Sequence, residues 1–93
     1  MKIKFRNKFN CPDRISGKPK RLKELGIKVL GSKSKDSYMW DYENTPVQMK
    51  TRTFSNVEIE WNDDKDCCDI IFPNNVAFGY VDDIDFRIIK EQD

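Results

Sequence analysis

The apolar residues of this chain fall into short runs of period two, broken at roughly eight- to twelve-residue intervals by turn-forming residues, a pattern that constrains it to a β-rich fold. Residues 2–9 alternate strictly. As a strand they set Ile3, Phe5 and Phe9 on one face and Lys2, Lys4, Arg6 and Lys8 on the other. Further strands are predicted over residues 27–30, 37–43, 47–54, 57–61, 67–72, 76–81 and 84–89. Residues 10–18 contain Pro12, Asp13 and Gly17 and read as a loop, and 31–36 as a polar one. Asn44-Thr45-Pro46, residues 62–66, Pro73-Asn74-Asn75 and Asp82-Asp83 supply turns, Asn being tolerant of positive φ. Only residues 19–25 are punctuated as a helix, with Pro19 at the first position and Gly26 just past the end. Leu22 and Leu25 give it one apolar stripe, and so short a helix must dock on a sheet to persist. The expected fold is a β-rich α+β domain, a small barrel or roll of six to seven mostly antiparallel strands with one short helix.

At 93 residues the chain is expected to be a single domain, 1–93, because a second would have too little core. Tyr38, Trp40 and Tyr42 lie on one face of their predicted strand and are expected in that core rather than as an exposed stacking platform. No apolar run approaches the ~20 residues needed to span a bilayer, and the alternating N-terminus lacks the apolar stretch of a secretory signal. The expected location is cytoplasmic, with no membrane partner. Three cysteines, Cys11, Cys67 and Cys68, fit that setting, since adjacent cysteines bridge each other only with strain and an odd count leaves a free thiol. The carboxylates around Cys67-Cys68 should raise the thiol pKa values and leave both cysteines structural.

Charge is divided along the chain. Residues 1–36 carry twelve Lys or Arg against Asp13, Glu24 and Asp36, a local net of +9. Residues 37–93 hold five basic and thirteen acidic side chains, a local net of −8. The whole-chain value of +1 conceals this. Such asymmetry points to a polyanion or to an acidic surface made for a basic partner. The cations expected to contact nucleic acid are Lys2, Lys4, Arg6 and Lys8 on the first strand, Lys18, Lys20, Arg21 and Lys23 around the helix, and Lys33 and Lys35 in the loop beyond it. On an edge strand the same lysines would instead discourage edge-to-edge pairing, and a third reading pairs them with the acidic half of the chain. The alternative function uses that acidic half: Asp63, Asp64, Asp66, Asp82 and Asp83 as a surface for a protein partner, including a nucleic-acid-binding protein whose site a carboxylate array can occupy. A small, two-signed accessory or inhibitor protein of a phage or mobile element has this profile.

Catalytic chemistry is poorly provided for. There is no histidine, which removes the commonest general base and every Ser-His or Cys-His pairing. A zinc site would need four thiolates where three exist, and the acidic clusters lack calcium-loop spacing, so neither a metal nor a cofactor is expected. Pro12-Asp13 and Asp63-Asp64-Lys65 match the residue types of a metal-dependent nuclease, but about fifty residues and two predicted loops separate them. Phe78-Gly79-Tyr80-Val81 resembles the centre of the RNA-recognition octamer, yet Val76, Ala77 and Asp83 fail its flanks. The expected function is non-catalytic binding, of nucleic acid or a nucleic-acid-bound complex.

Overall fold

The computed structural model describes residues 1–31 and 39–90, so the expectations for Lys33, Lys35 and Tyr38 lie outside the described residues. The elements run β1 (Lys2–Phe5), β2 (Arg14–Ser16), α1 (Pro19–Glu24), β3 (Ile27–Val29), β4 (Tyr42–Glu43), β5 (Val47–Met49), β6 (Thr53–Phe54), β7 (Glu58–Trp61), β8 (Cys67–Ile71), β9 (Ala77–Asp82), a 3-10 turn (Asp83–Asp85) and β10 (Phe86–Ile89). The strands form three sheets ordered β10-β1-β6, β4-β2-β9-β8-β7 and β3-β5, and neighbouring strands run antiparallel. The β-rich α+β class with one short helix is what the periodicity predicts, but the strands are more numerous and shorter.

Phe5 is the hub of the core. Its ring stacks on Phe9 at 5.0 Å, meets Phe54 edge-on at 5.7 Å, and lies within 6.5 Å of Phe72, Phe78 and Phe86. These contacts pack the inner face of the three-stranded sheet (Ile3, Phe5, Phe54, Phe86) on the inner face of the five-stranded one (Ile15, Ile70, Phe78, Val81), all of them buried. The outer faces of the two sheets therefore point in opposite directions.

Three predicted strands are corrected. The first stops at Phe5: the Arg6 N–H donates to the Asp85 carbonyl, the Phe9 N–H closes a turn on the Arg6 carbonyl, and Lys8 sits in that turn. A continued strand would carry Phe9 about 13 Å beyond Phe5; the turn instead stacks their rings. The segment 47–54 divides because it serves two sheets, β5 pairing with β3 and β6 with β1. Between them the Arg52 guanidinium donates to the carbonyls of Arg6 at 2.8 Å and Phe9 at 2.6 Å, holding the corner. Of the strand expected over 37–43, the described residues 39–43 contribute only β4; Tyr42 enters the core, Met39 is 80% exposed, and Trp40 does not share the face of Tyr42. Trp40 lies over Gly79, where a Cβ would come 3.0 Å from the indole ring. One strand was not anticipated: β2, inside the expected loop, is held between β4 and β9 and buries Ile15 completely.

The helix forms as punctuated. Pro19 opens it, Leu22 is fully buried, and Gly26 follows it at φ 81°, a conformation that favours glycine.

Candidate functional site

The three-stranded sheet carries cations on its outer face. Lys4 alternates with the buried Ile3 and Phe5 and lies directly opposite Arg87 on β10; Lys2 is two positions back on the same face, opposite Ile89. β1 is the central strand of this sheet, so its lysines do not protect an edge. Arg6 and Lys8 continue the exposed basic surface past the end of the strand. Around α1, Lys18, Lys20 and Lys23 are exposed, while Arg21 is half-buried and its guanidinium reaches the Asn74 amide oxygen at 3.5 Å. A groove beside the helix is lined by Lys23, Lys28, Lys50 and Arg52 over Leu22 and Met49. Sequence reasoning missed Lys50, Arg52 and Arg87 as partners of this surface, because they come from the acidic half of the chain and only strand register brings them beside Lys4 and Lys23. Among the described residues no lysine or arginine is held in an ion pair with a carboxylate.

The acidic groups gather elsewhere. Asp63, Asp64 and Asp66 occupy the β7–β8 turn, and the Asp83 N–H donates to the Asp66 carbonyl at 3.0 Å, while Asp82 lies opposite Cys67. Two clusters far apart in sequence thus meet at one end of the five-stranded sheet. The Asn62 amide donates to the Asp66 carboxylate at 2.7 Å and holds its pKa below the usual value. Burial, more than the neighbouring carboxylates, raises the Cys67 thiol and pushes that of Cys68 up to about 12, so neither is a thiolate at neutral pH.

Asp85 is the acidic residue with a structural cost. Partial burial, then the charge of Asp82, raises its pKa, against an opposing contribution from Arg6. A carboxyl whose pKa rises on folding favours the folded state only while protonated, and that contribution is lost as pH climbs through the folded value. Asp85→Asn should therefore raise the melting temperature at pH 7, with the advantage shrinking as pH falls toward the ordinary carboxylate value of about 4. Thermal melts of both proteins at pH 7 and pH 3.5 test this; an equal difference at the two pH values contradicts it.

The outer face of the five-stranded sheet is built from cross-strand rows. Glu43 lies opposite Arg14, Arg14 opposite Gly79, and Glu60 opposite Asp69. Between Gly79 and Asp69, β9 carries an extra residue relative to β8, and Tyr80 there takes φ 55°. Such a conformation costs a non-glycine residue on the order of 1–3 kcal/mol. The Tyr80 N–H donates to the Asp69 carboxylate at 3.3 Å, and the Arg14 guanidinium sits 4.6 Å from the centre of the Tyr80 ring.

The nuclease-like halves do not meet: Asp13 leads into β2, Asp63 and Asp64 lie in the β7–β8 turn, and β9 and β8 intervene. Among the described residues no group of three or more carboxylates or thiols is placed to hold a metal ion, and no helix is long and apolar enough to cross a membrane. No family model, curated protein or solved structure matches the chain.

Proposed function

We propose that the protein is a non-catalytic nucleic-acid-binding module whose primary contact surface is the outer face of the β10-β1-β6 sheet, extended toward the helix by Arg6, Lys8 and the cations of the groove. The observation that carries this reading is Lys4, on the central strand β1, directly opposite Arg87 on the edge strand β10, with no carboxylate among the described residues paired to either. Like charges directly across a strand pair destabilise it. A phosphate backbone laid across the sheet would relieve that repulsion, and it would release counterions on doing so.

Titration of labelled duplex and single-stranded oligonucleotides against the full chain across a salt series tests the reading. The logarithm of affinity should fall linearly with the logarithm of salt concentration, with a slope of about 3 or more if several phosphates are neutralised. No binding at about 50 mM salt, where such contacts are strong, refutes it.

A further inference from the structure

We propose a second interaction surface, the outer face of the five-stranded sheet, and that its occupant is a protein segment rich in arginine or lysine. This surface is distinct from the proposed nucleic-acid face and lies on the opposite side of the core. On its strands the carboxylates of Glu43, Glu58, Glu60, Asp69 and Asp82 stand against one guanidinium, Arg14. Glu60 and Asp69 are directly opposed like charges, as Lys4 and Arg87 are on the other side, although the Tyr80 N–H also donates to Asp69. The row from Glu60 to Glu43 crosses five strands, a span of about 19 Å at ordinary strand spacing.

What separates this face from a merely solvated one is its centre. Tyr80 is 51% exposed, with Asp69 on one side of it in the row and Arg14, then Glu43, on the other; its ring already takes a guanidinium from Arg14, and Trp40 lies over the adjacent Gly79. A half-exposed apolar strip, Ile71 and Ala77, runs alongside, opposite Glu58 and Ser16. Cationic side chains with aliphatic stems suit that mixture, the heads meeting the carboxylates and the stems covering Tyr80 and Ile71. Nucleic acid is repelled here. A free metal ion would have no use for the ring.

The probe is a fluorescein-labelled peptide of six Arg-Ser repeats, followed by anisotropy with the full chain at low and moderate salt. Glu58→Lys/Glu60→Lys changes two exposed positions on the face and should weaken binding about tenfold or more. Asp63→Lys/Asp64→Lys makes the same charge change in the turn outside the face and should cost less than about threefold. Tyr80→Gly removes the ring where glycine suits the backbone; it should weaken the peptide about threefold or more without lowering the melting temperature. The proposal is overturned if the turn pair costs as much as the face pair, or if Tyr80→Gly binds normally. It is also overturned if the wild-type chain polymerises in sedimentation runs and Glu58→Lys/Glu60→Lys dissolves the polymer, which would make the face a contact for the basic surface of a second copy. Oligonucleotide affinity measured on the same variants should not fall, so the two surfaces stand or fall separately.

Discussion

Truncating Phe5 to alanine should remove about 3–5 kcal/mol of folding stability, the range for deleting a large aromatic from a packed core. The side chain is 1% exposed and packs against five other phenylalanine rings, Phe9 in the turn after β1 and four from β6, the β8–β9 hairpin and β10, so the cavity is walled by both sheets and has no single mobile neighbour to collapse into it. A chain of this length buries only a little over ~60% of its unfolded surface, and total stabilities of small domains run about 5–15 kcal/mol. The loss is therefore a large fraction of what holds the fold. Urea unfolding followed by far-ultraviolet circular dichroism should show the midpoint falling sharply with the slope unchanged, or a protein already unfolded in buffer. Ile88→Ala, at a position 50% exposed on the edge strand β10, is the matched control and should cost less than about 1 kcal/mol. If the two variants melt alike, Phe5 is not the hub.

That core was largely legible from residue order. Alternation placed Ile3 and Phe5 on one face and both are buried, while Phe9 is buried by the turn that ends the strand. Cys68, Ile70 and Phe72 share one parity, but Phe78 and Val81, three positions apart, are both buried only because β9 carries an extra residue between them. The helix was legible from Pro19 and Gly26 alone. Elsewhere local pattern gave way to pairing. β2 hid because three residues between Pro12-Asp13 and Gly17 show no run of alternation, and it becomes a strand only because β4 and β9 supply ladders on both sides. Residues 47–54 read as one strand because nothing in their order marks the point where the chain leaves β3 for β1; the Arg52 bonds that fix the corner are made to carbonyls more than forty positions away. The extra residue at Tyr80 is invisible for the same reason, since a bulge is defined by the strand opposite.

The candidate sites show the same division. The halves of opposite sign are plain in the sequence, yet neither half coincides with a face. Arg87 and Arg52 join the basic surface from the acidic half, and Glu43, Glu58, Glu60 and Asp69, not singled out beforehand, make the outer face of the other sheet beside Asp82. Sheet register, rather than position along the chain, sorts the charge. The fold places a basic outer face and an acidic outer face back to back across one phenylalanine core, and this is what gives a chain of near-zero net charge two electrostatically opposite surfaces.

Reversing the charge of Arg87 separates a functional cation from a solubilising one. In the wild type Lys4 and Arg87 are Cα partners and repel each other; Arg87→Glu turns the pair into an attractive one and should stabilise the fold by about 0.2–1 kcal/mol. The same change should weaken oligonucleotide binding. On the proposed reading two phosphate contacts would be disturbed, that of Arg87 and that of Lys4, whose charge the new carboxylate claims, so the salt slope should fall by about 2 and affinity at low salt by tenfold or more. A cation that served only solubility would give the gain in stability with no loss in binding. Lys20→Glu/Lys23→Glu, which puts two reversed charges on exposed positions of α1, provides the comparison: as the extension of the surface it should lower the slope by less than Arg87→Glu does on its own. Urea midpoints and salt-series titrations on the same preparations read both quantities at once. An Arg87→Glu protein that is more stable and still binds oligonucleotide with the wild-type slope would remove the three-stranded sheet as the nucleic-acid surface.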